Sequence, residues 1–146
     1  MVLAERVEKT VLAVADLKPE SIQTMNRLIA ESGAEAVAIS FLFSFLNTAQ
    51  EEMVLEALKK MENPAYITAS FRVMPEFREY ERASTVVVNA YVGQVMSQYL
   101  GELECPLGKG LRIMQSSGGS ITARLDAEQP VRTLLSAPAG GAVGHF

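Results

Sequence analysis

Apolar residues at Ile22, Met25, Leu28 and Ile29 recur every three or four positions, the spacing that gathers side chains on one face of an α-helix. Asp16–Pro19 reads as the turn feeding that helix, because proline suits a first helical turn, and Gly33 stands where a left-handed stop residue belongs. Upstream, Val11–Val14 is a short strand candidate. The next run, AVAISFLF from Ala36 to Phe43, is apolar and β-rich without alternation, the pattern of a central parallel strand covered on both faces. Asn47 and Thr48 then offer N-caps. Thr48 and Glu51 have the spacing of a capping box, in which each side chain bonds the other's free backbone N–H. Val54, Leu58 and Met61 supply the apolar face of the helix that follows, Asn63-Pro64 stops it, and Tyr66–Ser70 predicts a second strand.

Beyond Pro75 the charged stretch EFREYER leads into a pattern with Val88, Val92, Val95, Tyr99 and Leu103 at spacings of three and four. A helix over about Arg82–Leu103 is expected, broken at Cys105-Pro106 and the glycines 108 and 110. Its β-branched beginning, Thr85–Val88, lowers helix propensity, so burial must hold it. Leu111–Gln115 reads as a strand running into the turn Ser116–Ser120. In SAPAGGAVGHF, Ser136 can cap a last helix with Pro138 in its first turn. Helices alternating with strands predict an α/β architecture with right-handed crossovers, formed by 1–146 as a single domain or fragment.

Composition narrows the function classes. With 146 residues, 49% of them hydrophobic, and a slightly positive mean hydropathy, the chain can build a real core. A net charge of −4 without a basic stripe argues against nucleic acid and acidic membranes as partners. The most apolar run is far shorter than the ~20 residues of a membrane-spanning helix. The one cysteine, Cys105, allows no intrachain disulfide and no paired metal-ligand spacing, which fits a reducing, cytoplasmic setting, and no metal site is expected. The first ten residues carry no apolar signal region.

Few stretches carry chemistry. Ser116-Ser117-Gly118-Gly119-Ser120 directly follows a strand and can act as an anion cradle, although a tight turn is its commoner meaning. It lacks the Gly-Lys-Ser/Thr ending of a P-loop. EFREYER reads as a solvated, ion-paired face, with a Phe and a Tyr among its charges that suggest docking. His145 and Cys105 lack the neighbours of a catalytic base or nucleophile, so no residue is assigned a catalytic role. The small residues Ala139, Gly140, Gly141 and Gly144 allow close approach of another element or of a ligand.

Four stretches together resemble the hydantoinase A and 5-oxoprolinase family, which includes the acetone carboxylase β-type subunits. They are AVAISFLFSFLNTAQEE (36–52), VMPEFREYERASTVVVNAYVGQVMSQYL (73–100), LRIMQSSGG (111–119) and PVRTLLSAPAGGAVG (130–144), in the family's order. The resemblance implies part of a ribonuclease-H-like lobe of an actin-like ATPase fold, a mixed sheet with flanking helices. The chain would be the late part of the first lobe, ending in the interlobe connecting helix near 136–146. It implies Mg-ATP as the cofactor of the intact parent, with none held tightly by this chain alone, and a small cyclic amide of the hydantoin or 5-oxoproline type as substrate. Ser116, Ser117, Gly118, Gly119, Ser136, Pro138, Gly140 and Gly141 would lie at the nucleotide cleft. The family's two Asp-x-Gly-Gly-Thr phosphate loops are not in this sequence, and Ala137 stands where the family usually has Gly. The chain alone is therefore expected to be inactive, with the remaining lobe or a partner subunit completing it. A ketone-carboxylase subunit and a non-catalytic binding module are the alternatives. Self-association through Ala139–Phe146 or the Val86–Leu103 helix is expected for the module.

Overall fold

The computed structural model describes residues 18–60, 65–107 and 110–143, the side chains of 105–107 excepted. The expected strand at Val11–Val14, the helix stop at Asn63-Pro64, Met61, His145 and the Cys105 side chain lie outside that description. The chain divides into two compact units, Met1–Ala90 and Tyr91–Phe146.

In the first unit, α1 (Pro19–Ser32) begins with proline in its first turn and ends at Gly33, whose φ of 64° is the left-handed conformation glycine adopts without strain. β1 (Ala36–Ile39) and β2 (Tyr66–Ala69) pair in parallel, Ala36 opposite Tyr66 and Ile39 opposite Ala69. A parallel pair needs a crossover, and α2 (Ala49–Lys59) supplies it. Its Val54, Leu55 and Leu58 join Met25, Ile39 and Ala69 in the core, flanked by Ile22, Ile29, Val37, Phe41, Ile67 and Phe71. The one-turn helix α3 (Ser70–Val73) follows β2 directly.

The long helix α4 (Glu79–Leu107) starts earlier and ends later than its pattern predicts. Pro106 falls inside its last turn, so the break comes after the proline rather than before it. The buried face also differs. Arg82, Val86, Asn89 and Ala90 are inward, whereas Val88, Val95 and Tyr99 of the predicted stripe are exposed. Asn89 sets the face in the first unit: its Nδ2 donates to Thr68 Oγ1 at 3.1 Å and to Tyr66 OH at 3.4 Å. A polar anchor thus outranks hydrophobicity in choosing the side.

β1 is half the length that its apolar run predicts. The chain leaves strand geometry after Ile39 because the Phe41 N–H donates to Glu51 Oε1 and Phe43 takes a left-handed φ of 58°. The second unit holds an antiparallel hairpin, β3 (Arg112–Met114) with β4 (Ser120–Thr122), then α5 (Ala123–Glu128), a 3-10 turn (Pro130–Arg132) and α6 (Ser136–Val143). The expected strand after Gly110 is present. Its antiparallel mate β4 has only three residues and no long apolar run to announce it.

Candidate functional site

The serine–glycine stretch is the hairpin's loop. Gln115 N–H donates to the Gly119 carbonyl at 2.7 Å and Gly118 N–H to the Gln115 carbonyl at 3.0 Å, with Gly118 at a φ of 88° that demands glycine. Two bonds tie the loop to the segment leading into α6: Ser116 N–H to the Arg132 carbonyl at 2.7 Å, and Leu135 N–H to Ser116 Oγ at 3.1 Å. A Cβ at Gly118 would meet Val143 Cγ2 at 3.7 Å, and one at Gly140 would meet Met114 Cγ at 3.9 Å, both ordinary contact distances. The structure thus brings Ser116–Gly119 to one side of α6, which carries Ser136, Pro138, Gly140 and Gly141. Ser136 is the first helical residue and its N–H bonds the Thr133 carbonyl, so it does not cap from outside the helix. Nothing lies within 4 Å of a Cβ placed on Gly141, and no residue of α6 is buried. Close packing inside this unit does not explain the small residues.

What this corner offers is hydroxyl and main-chain groups. The Ser117 side chain is exposed, and Ser120 Oγ accepts from Arg112 Nε at 3.0 Å. Such groups suit hydrogen bonds to a sugar or a base more than the neutralisation of a triphosphate. Among the described residues no cluster of His, Cys, Asp or Glu is arranged to hold a metal ion.

One buried carboxyl lies in the same unit. Asp126 of α5 is fully covered, and neither of its oxygens meets a hydrogen-bond donor. Burial pushes its pKa above the ordinary carboxylate value, and the nearby Thr133 hydroxyl acts in the opposite direction. That hydroxyl already donates to the Pro130 carbonyl at 2.8 Å.

In the first unit a polar cluster is buried where the sequence predicts surface. Glu51 Oε1 accepts from Phe41 N–H at 2.8 Å and from the Ser70 hydroxyl at 2.6 Å, while Oε2 accepts from Phe71 N–H at 3.0 Å. Ser44 Oγ lies 3.0 Å from Ser70 Oγ. The capping box does not form: Thr48 has helical backbone angles, and its hydroxyl donates to Glu52 Oε1 at 2.8 Å. Nor is EFREYER a solvated face throughout. Arg82 is fully buried, bonding Glu79 and the Phe41 carbonyl, with its guanidinium 5.5 Å from the Phe45 ring centre. Glu79 Oε1 accepts from Phe43 N–H at 2.9 Å. Phe77 and Tyr80 do remain exposed.

These residues had a readable signal. Glu51 precedes Val54, Leu55 and Leu58 at helical spacing, and Arg82 precedes Val86, Asn89 and Ala90 likewise, so both charges sit on the inward stripe. The cluster fastens residues 41–45 between α2, α3 and α4. Its chemistry is positional: both Glu51 oxygens are engaged by these donors, and Arg82 is enclosed although its Nε and Nη1 meet no hydrogen-bond partner.

Residues 1–62 match the hydantoinase/oxoprolinase N-terminal region and residues 82–146 match the hydantoinase/oxoprolinase model, leaving 63–81 between them. The chain belongs to the hydantoinase/oxoprolinase family. An uncharacterized protein of Methanocaldococcus jannaschii is 33% identical over 95% of this chain and 21% of its own length. The caprolactamase subunit alpha of Pseudomonas jessenii is 33% identical over 75% of this chain and 16% of its own, and the 5-oxoprolinase of Saccharomyces cerevisiae 27% over 88% and 10%. Among solved structures, the ATP-dependent caprolactamase of Pseudomonas jessenii superposes with a TM-score of 0.84 at 29% identity, covering 93% of this chain and 20% of that one. Nucleotide-free acetone carboxylase superposes with a TM-score of 0.81 at 25% identity, covering 97% and 21%. The chain spans about a fifth or less of these relatives' length. Among the described residues no helix is long and apolar enough to cross a membrane.

Proposed function

We propose that this chain is part of an ATP-dependent enzyme that opens small cyclic amides of the hydantoin or 5-oxoproline type, and that it does not catalyse the reaction by itself. The observation that carries the reading is the junction of the Ser116–Gly119 loop with the start of α6 through Ser116 Oγ and Leu135 N–H, in a chain of this family. In this reading residues 18–143 form the late part of a ribonuclease-H-like lobe of an actin-like ATPase fold, with α6 as its connecting helix. Ser116, Ser117, Gly118 and Gly119, with Ser136, Pro138, Gly140 and Gly141, border the nucleotide through hydroxyl and main-chain groups. Mg-ATP held there would supply a phosphoryl group to the amide oxygen, with ADP as the leaving group, which would make the ring carbonyl carbon electrophilic enough for water. The groups that hold the phosphates belong to loops outside this sequence.

The similarity to acetone carboxylase favours a second reading, a subunit of an ATP-dependent ketone carboxylase. One assay separates the two. The full gene product is incubated with Mg-ATP and hydantoin, 5-oxoproline, caprolactam, or acetone with bicarbonate, and ADP release is followed. Ring-dependent ADP release that falls at least tenfold in Gly118→Val supports the hydrolase. Acetone-dependent release supports the carboxylase, and no ATP dependence with any of them overturns both. The 146-residue chain alone should show no saturable ATPase rate. A saturable rate that Gly140→Asp abolishes would refute the claim that it needs the rest.

A further inference from the structure

Among the described residues of the second unit, Asp126 is the buried side chain whose polar atoms find no hydrogen-bond partner. It lies on α5, against which β3, β4 and the 3-10 turn pack. The charged groups on these elements and on α5 itself are Arg112, Arg124, Glu128 and Arg132; all four are exposed, and none bonds the carboxyl. Beside the carboxyl stands the Thr133 hydroxyl, itself buried, which donates to the Pro130 carbonyl at 2.8 Å. That carbonyl also accepts the Thr133 N–H at 3.0 Å, so the hydroxyl makes the second of two bonds closing the turn. The turn in turn anchors the serine–glycine loop: the Arg132 carbonyl accepts Ser116 N–H, and Leu135 N–H donates to Ser116 Oγ. An ionised carboxylate only accepts, and burying one without a donor costs far more than one neutral hydroxyl bond contributes. A neutral carboxyl makes no such demand, since it can donate to Thr133 Oγ1 while that hydroxyl stays on Pro130. One hydroxyl therefore has two acceptors, and charge decides between them.

We propose that Asp126 and Thr133 are a positioning pair for the Ser116–Gly119 loop, in which ionisation of the carboxyl draws the Thr133 hydroxyl off the Pro130 carbonyl and loosens the loop from the start of α6. With Asp126 neutral, the turn is closed by both bonds and the Arg132 carbonyl is set to receive Ser116 N–H. With Asp126 charged, the hydroxyl turns to the carboxylate, the turn keeps only its Thr133 N–H bond, and Ser116 N–H opens more often. The direction follows from burial, which raises the pKa of this carboxyl. The loop is held at low pH and released as pH rises from the ordinary aspartate range through the folded value. Both residues act through Arg132 and Ser116. The consequence for nucleotide rests on the reading of this loop as a nucleotide border; the pair itself does not.

Residue-resolved amide hydrogen exchange on the full gene product, without nucleotide, tests the pair. Exchange is followed from about pH 4.5 to about pH 8 and corrected for the intrinsic pH dependence of the amides. Protection of Ser116 and Leu135 should fall about five- to tenfold across the titration, the worth of roughly one hydrogen bond. Gln115 N–H, bonded within the loop, and Tyr66 N–H, bonded to Glu35 in the first unit, should not follow it. Asp126→Asn carries no charge at any of these pH values and should keep the loop at its acidic level throughout. Thr133→Val should abolish the step and Thr133→Ser restore it, which a merely structural threonine would not do. Flat protection in the wild type overturns the proposal, as does a step that survives in Asp126→Asn or in Thr133→Val. If Thr133→Val does not fold, the wild type and Asp126→Asn still decide. In the same product, KM for ATP measured against that of Asp126→Asn should rise over the same range while kcat changes little. A loop that responds to pH while KM for ATP does not leaves the pair standing and removes the nucleotide border.

Discussion

Replacing Glu51 tests the view that buried hydrogen bonds, and not a helix cap, fix the first unit. Glu51→Ala leaves three donors without an acceptor: Phe41 N–H, the Ser70 hydroxyl and Phe71 N–H. Each buried donor left unsatisfied costs about 1–3 kcal/mol, and the Ser70 hydroxyl can turn toward Ser44. The loss should be roughly 4 kcal/mol, a large share of the ~5–15 kcal/mol that holds a domain together. Glu51→Gln keeps an acceptor for Phe41 and Ser70 but turns an NH₂ toward Phe71 N–H, and should cost about 2 kcal/mol. Urea denaturation followed by circular dichroism gives both numbers. Thr48→Ala is the control, because its hydroxyl bonds an exposed glutamate and caps nothing. If Thr48→Ala and Glu51→Ala lose equal stability, or if Glu51→Ala loses less than about 1 kcal/mol, the buried-acceptor argument is wrong.

Other perturbations follow from single observations. The raised pKa of Asp126 means that its contribution to stability is greatest when it is protonated and falls as pH rises from the ordinary aspartate range through its folded value; Asp126→Asn should raise the melting temperature at pH 7 and flatten that part of the profile. Gly33→Ala puts a Cβ at a φ of 64° with open space around it, so backbone strain alone should cost about 1 kcal/mol in urea denaturation. Tyr91 and Val95 are 82% and 70% exposed, so Tyr91→Lys with Val95→Lys should change stability by less than about 0.5 kcal/mol while reducing any association seen by sedimentation.

How much of this could be read in the chain depends on whether local or distant groups decided each element. α1 was readable from both ends, because Pro19 and Gly33 act through their own backbone geometry. The apolar run at 36–43 gave the parallel strand but not its end, which Glu51 sets from ten residues away and Glu79 from thirty-six. The Thr48–Glu51 spacing fits a cap and an inward acceptor equally well, and only the placement of Glu51 on the stripe of Val54, Leu55 and Leu58 separates them. For α4, two apolar faces compete and hydrophobicity cannot rank them, whereas a hydrogen bond from Asn89 can. The loop at 116–119 was recognisable as a turn, and its glycine pattern is answered by the φ of Gly118. Its proximity to α6 depends on Ser116, which the sequence offered only as one serine among several.

The Glu51 cluster also carries information about the order of events during synthesis. Its acceptor lies on α2, one donor lies before that helix at Phe41, and the others follow β2 at Ser70 and Phe71. A nascent chain that has passed Lys59 can form α2 and begin to collapse, but it cannot satisfy this carboxyl until Phe71 has emerged. Until then Glu51 stays in water and opposes the burial of the stripe on which it sits. Premature packing of β1 against α2 is thereby disfavoured, and the crossover locks only when its second strand has arrived.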